Sequence, residues 1–169
     1  MPHATRWIFA VVGALVLWRT GISIYGAPAN EVLFQVSTPT RSCVSANCVT
    51  RLELEVGNTG SAVQDNVRVR LRDEPLRGLQ LPIKVLTHGK VPRAVKIDEI
   101  DGERIYNLGV LEPQKRVMID VVFIGKASER TPSWSDILVA VEPAAGEAKP
   151  GDPSAILFAR MMQAFFGWL

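Results

Sequence analysis

Residues 52–73 read LELEVGNTGSAVQDNVRVRLRD. Leu52, Leu54 and Val56 alternate with Glu53 and Glu55, and Val67, Val69 and Leu71 alternate with Arg68, Arg70 and Arg72. Successive side chains of an extended strand point to opposite faces, so a period of two separates a buried face from a solvated one. A helix would need apolar residues every three or four positions, and neither run supplies them. The intervening residues 57–66, GNTGSAVQDN, are dense in turn formers. The stretch therefore predicts two half-buried antiparallel strands joined by a loop.

The same period recurs on both sides. Residues 117–124, VMIDVVFI, are more continuously apolar, as a central strand is. Two more strands bracket Asp101-Gly102 in KIDEIDGERIYNL, residues 96–108, because that dipeptide tolerates the positive φ of a tight hairpin turn. Residues 31–37, 83–87 and 137–142 complete a set of seven or eight short strands. No helical period of useful length separates them between residues 30 and 145. An all-β sandwich, in which two antiparallel sheets bury each other's apolar faces, is the economical arrangement.

The ends of the chain differ from its middle. Residues 7–18, WIFAVVGALVLW, are twelve apolar positions behind Arg6. At about 1.5 Å per residue they span roughly 18 Å, short of a hydrocarbon core of about 30 Å. Two readings stand. Continued through Arg19 to Tyr25, the run makes a single-pass anchor with Trp7 and Tyr25 at its interfaces. Alternatively it is a secretory signal cut after Ala27-Pro28-Ala29. Residues 1–29 are thus a membrane anchor or signal segment, and either reading places the remainder of the chain outside the cytoplasmic membrane, in the periplasm or beyond the cell. In that compartment Cys43 and Cys48, the only cysteines, are expected to form a small structural disulfide.

Residues 106–123, YNLGVLEPQKRVMIDVVF, sharpen the picture when set beside residues 52–73. Together they resemble the bacterial immunoglobulin-like sandwiches of the CARDB type. Val56, Asn58 and Gly60 match the V-x-N-x-G that ends an early strand of that family. Leu108, Gly109, Leu111 and Pro113 match its L-G-x-L-x-P-G turn, although Gln114 stands where the family carries glycine. The resemblance spans residues 30–145 and implies an immunoglobulin-like β-sandwich with a spacer, adhesion or scaffolding role. Its motifs are turn chemistry and bring no active-site residue with them.

Residues 146–153 read as a polar linker. Asp152-Pro153-Ser154 then opens a helix over 154–169, since proline is favoured in the first turn and Asp or Ser caps it. Leu157, Phe158, Met161, Met162, Phe165, Phe166 and Trp168 give it a broad apolar face, with Arg160 on a narrow polar stripe. Residues 155–169 cover about 22 Å, short for a membrane crossing and suited to lying in an interface. The face is expected to meet membrane lipid, a membrane-protein partner, or the sandwich itself.

The 169 residues are 47% hydrophobic and 21% charged with a net charge of +2, which excludes a disordered chain and gives no field suited to nucleic acid. No nucleophile elbow, phosphate loop, dinucleotide fingerprint or H-E-x-x-H is present. His88 is the sole histidine of the predicted domain, and it lies in a turn-like stretch. Asp98, Glu99, Asp101 and Glu103 form an acidic hairpin that fails the calcium-loop register. No cofactor and no metal site is expected, and a small-molecule ligand is not. The sequence predicts a non-catalytic, membrane-tethered interaction or scaffolding protein, an accessory subunit of an envelope complex. The alternatives are a secreted adhesin-like binding protein and a redox or metal-handling factor using Cys43 and Cys48.

Overall fold

The computed structural model describes residues 11–15, 18, 28–77, 82–87, 91–130 and 132–166. The described residues form eleven strands: β1 (Val32–Val36), β2 (Thr40–Val44), β3 (Asn47–Asn58), β4 (Gln64–Arg72), β5 (Lys84–Thr87), β6 (Val91–Pro92), β7 (Lys96–Ile100), β8 (Glu103–Leu111), β9 (Arg116–Lys126), β10 (Leu138–Glu142) and β11 (Ala148–Pro150). One sheet has the order β11-β1-β3-β9-β5-β6, with β2 also on β3; the other has the order β10-β4-β8-β7. Leu52, Leu54 and Val56 from the first and Val67, Val69 and Leu71 from the second meet in one core, each at 0% exposure. The alternation of residues 52–73 thus joins two facing sheets rather than one hairpin: the chain crosses between layers at loop 59–63.

Two short helices flank the sheets, α1 (Trp134–Ile137) and α2 (Pro153–Phe166). Trp134 and Ile137 plug the core, and the Trp134 indole donates to the Glu53 carbonyl at 3.0 Å. That carbonyl also accepts from Ser37 N–H, where the edge of β3 passes from β1 to β2 around Pro39. Four residues are too few to show a helical period, so α1 is invisible to pattern reading.

The strand number exceeds the seven or eight expected. β2, β6 and β11 are edge or short strands, polar or proline-bearing, and edges need no alternation because one side meets water. β11 corrects a second expectation, since it falls in the stretch read as linker and pairs with β1 in parallel, Val32 opposite Ala148. Elsewhere the turn chemistry holds. Asp101 and Gly102 both take positive φ, +49° and +78°, between Ile100 and Glu103.

Asn58 ties the two ends of the sequence motif together. It is fully buried, and its Nδ2 donates to the carbonyls of Ala62 and Leu111, both at 2.8 Å. Its Oδ1 accepts from Gly60 N–H, and its own carbonyl accepts from Gln114 N–H. The early V-x-N-x-G and the late L-G-x-L-x-P turn are therefore one structural knot. Gly60 has no room for a side chain, because a Cβ there would lie 2.5 Å from the Ala29 carbonyl. In the late turn Lys115 N–H reaches Glu112 O, with Pro113 second and Gln114 third at φ +62°. This is a type II arrangement, whose third position favours glycine.

Gln114 is exposed, and its side chain makes no hydrogen bond among the described residues. Replacing it with glycine removes left-handed strain worth about 1–2 kcal/mol, set against glycine's greater freedom in the unfolded chain. Q114G is therefore expected to raise stability by a net ~0.5–1 kcal/mol in urea denaturation, while Q114V lowers it.

Candidate interaction surface

The chain enters the fold at Pro28. Ser61 N–H donates to the Pro28 carbonyl, Ala62 N–H to Ala29, and Thr59 and Gly60 N–H both to Glu31. The residues just after the N-terminal apolar run are thus laced to loop 59–62. Residues 11–15 and Trp18 are helical, with Val11, Val12, Leu15 and Trp18 exposed. No helix among the described residues is long and apolar enough to cross a membrane. Trp7, Arg19 and Tyr25, the limits of the predicted span, lie outside the described residues.

α2 is rooted at the same end of the domain. Asp152 caps it, accepting from Ala155 N–H at 2.9 Å, with Pro153 in the first turn as the sequence predicts. Pro153 is buried over Gly57, where a Cβ would come within 2.5 Å of the proline's own Cβ. Gly57 is therefore what lets the helix lie this close to β3. Ser154 donates to Glu55 at 2.9 Å, and Arg116 grips both Glu55 and Ser154.

About two turns further, Arg160 pairs with Glu31 at 2.8 Å and donates to the Thr59 carbonyl. Thr59 Oγ1 donates to the same Glu31 carboxylate at 2.6 Å. Arg160, on a polar stripe in sequence, thus faces the domain instead of water. The stripe Pro153, Leu157 and Arg160 is the docked one, and Leu157 is half-buried in it.

What α2 turns outward is apolar. Phe158 is 59% exposed, Phe166 53%, Met161 48% and Met162 37%. At about 100° per residue, Ala155, Phe158, Ala159, Met162 and Phe166 fill the arc opposite the docked stripe. Of Phe165 only the helical backbone is described, and Trp168 lies outside the described residues. A surface helix normally shows water its polar side. This one is reversed.

The other sequence features are placed elsewhere. Cys43 and Cys48 form a disulfide between directly opposed residues of β2 and β3, Cα–Cα 4.0 Å, two residues from a turn with Ser45 at φ +56°. Cys48 is buried and lines a cleft of about 170 Å³ with Thr50 and Phe123, at the opposite end of β3 from α2. The Arg41 guanidinium beside it donates to the carbonyls of Lys126, Ala127 and Glu129 and pins that loop. His88 lies outside the described residues.

The acidic hairpin is largely matched by cations: Asp98 with Lys96, Glu99 with Arg104, Glu103 with Arg70. Arg70 also holds Glu142. The acids that answer Arg70 therefore come from the two neighbouring strands of its own sheet, β8 and β10. Glu53 and Glu55 lie on the other sheet and pair with Arg51 and Arg116. No group of three or more His, Cys, Asp or Glu among the described residues is arranged to hold a metal ion.

No family model and no curated protein matches the chain. Among solved structures it is similar to a GH20 exo-β-N-acetylglucosaminidase from Vibrio harveyi, with a TM-score of 0.36, 13% identity, and coverage of 72% of this chain and 18% of that one. It is similar also to an M1 zinc metallopeptidase from Deinococcus radiodurans, with a TM-score of 0.22, 14% identity, and coverage of 59% and 20%. The chain spans about a fifth of the length of each, and likenesses this slight carry no argument about reaction or substrate.

Burial pushes the Glu31 carboxyl up, but hydrogen bonds from Thr59 and Arg160, with the charges of Arg160 and Lys149, outweigh it and hold it below the ordinary 4.5. A lowered folded value means that the stabilisation is complete above the ordinary value and is lost as pH falls from there through the folded one. Amide exchange protection over residues 157–166, corrected for intrinsic rates, should therefore fall on acidification below about pH 4.5. Glu31→Gln should start less protected at neutral pH and lose much of that acid dependence.

Proposed function

We propose that this chain is a non-catalytic, membrane-tethered interaction protein whose immunoglobulin-like domain stands outside the cytoplasmic membrane as an accessory or scaffolding subunit. The observation that carries the reading is the convergence at one pole. The segment following the N-terminal apolar run and the middle of α2 are bound to the same loop, through Glu31, Thr59 and Arg160. Two apolar elements issuing from one end of a β domain suit attachment to a membrane or to a membrane-embedded partner. Exposed to water alone, the outward face of α2 would be an aggregation liability.

Other features support the same reading. The disulfide closes a short loop between paired strands, a structural use suited to an oxidising compartment. In and beside the acidic hairpin, Asp98, Glu99, Glu103 and Asp73 are engaged with arginine or lysine. The turn knot around Asn58 joins the two segments that carry the resemblance to CARDB-type sandwiches.

The test is fractionation of the full chain against a triple variant, Phe158→Ser, Met162→Ser and Phe166→Ser. The three side chains project from the domain, so the variant should keep the β-rich circular dichroism and thermal transition of the parent. After a carbonate or detergent-titration wash, the variant is expected to leave the membrane fraction, or its complex, several-fold more readily. Equal retention with an intact fold would contradict the proposal.

A further inference from the structure

From the placement of α2 we infer that its outward face is sunk in the lipid of the same membrane leaflet at which the N-terminal apolar run ends, giving the domain a second attachment point. The inference rests on the tether reading above and fixes what covers the helix.

Chain reach brings the helix to the membrane. Tyr25, the outer limit of the apolar run, is three residues from Pro28, and three residues extend at most about 10 Å. Pro28 is bonded to Ser61, and loop 59–62 holds Arg160 through the Thr59 carbonyl. An anchor that surfaces near Tyr25 therefore holds this pole within about one headgroup layer of the hydrocarbon. Through the Arg160 contact, α2 is held at this same pole.

The composition of the exposed face selects lipid over protein. Protein interfaces carry polar groups around an apolar centre and form about one hydrogen bond per 100–200 Å². The arc of Ala155, Phe158, Ala159, Met162 and Phe166 contains no hydrogen-bonding side chain. Fourteen helical residues extend about 21 Å, enough to enter one leaflet and too little to cross two. The only charge on α2 is Arg160, which is committed to Glu31 and Thr59. Attachment by this face should thus depend on apolar burial, with little response to salt or to anionic lipid.

The experiment places a nitroxide on single added cysteines, Met162→Cys or Phe166→Cys, in the full chain with its native disulfide oxidised. Ile100→Cys, exposed on the far sheet at the end of β4 away from loop 59–62, is the aqueous reference. The chain is reconstituted in vesicles of phosphatidylcholine alone and of phosphatidylcholine with phosphatidylglycerol. Labels at 162 and 166 should collide with dissolved oxygen several-fold more than with a water-soluble nickel chelate, while 100 shows the reverse, in both compositions and at high salt. Nickel access at 162 and 166 equal to that at 100 would overturn the inference. So would protection from both reagents, which means protein covers the face. If the chain still floats with the vesicles in either case, the tether survives without the inference; if it does not float, the tether itself has failed.

Discussion

A single carboxylate holds one pole of the domain together. Glu31 receives the Thr59 hydroxyl and the Arg160 guanidinium, so three separate parts of the chain close on one group: the residues entering the fold, the loop between β3 and β4, and the C-terminal helix. Without that junction α2 would be fixed mainly at its first turn, through Pro153 on Gly57 and Ser154 on Glu55. With it, the docked stripe runs for two turns, and the opposite arc is set facing outward. The apolar exposure is a consequence of where the polar contacts are, since a helix gripped by its polar side has only its greasy side left to present.

Beneath this pole lies the second knot, around Asn58. A buried amide with both ends satisfied costs little and fixes geometry strongly, because each lost partner would leave an orphaned polar atom. It locks loop 59–62 to the turn at 112–115, and loop 59–62 in turn carries residues 28–31 and Arg160. The opposite end of β3, eleven residues away, lies roughly 37 Å off at about 3.4 Å per residue. There the Cys43–Cys48 bridge and Arg41 stiffen the β2–β3 hairpin and the loop after β9. The molecule thus has one end braced around its apolar attachments and another braced by a covalent staple.

Much of this was legible before any coordinates. Alternation in residues 52–73 named the core residues of two sheets because half-buried strands must sort their side chains by face. Asp101-Gly102, Asn58 with Gly60, and Asp152-Pro153-Ser154 announced a hairpin, a loop and a helix start through backbone requirements that few residues meet. The anomaly at Gln114 was visible too, and its positive φ explains why glycine suits that position. Edge strands β2, β6 and β11 were not legible, since pairing on one side leaves no pattern.

The inverted role of Arg160 was equally hidden. On a helical wheel it marks the wet face, and only the position of Glu31, 129 residues earlier in the chain, turns it inward. Gly57 reads in the sequence as one of the turn formers of the loop, yet it lies within β3, and its function is clearance for Pro153 and not a special dihedral. Long-range complementarity of this kind is set by the fold and leaves no local trace.

A double-mutant cycle across the junction tests the account most directly: Glu31→Gln, Arg160→Met and the two combined, each followed by amide exchange over residues 157–166 at neutral pH. Because the two side chains share the Glu31–Arg160 contact and Arg160 also holds the Thr59 carbonyl, the double variant should lose little more protection in α2 than Arg160→Met alone, with the exchange of β3 and β9 unchanged. Losses that simply add, or protection of α2 that survives all three, would mean that the helix is not held by its polar side, and the outward apolar face would lose its physical basis.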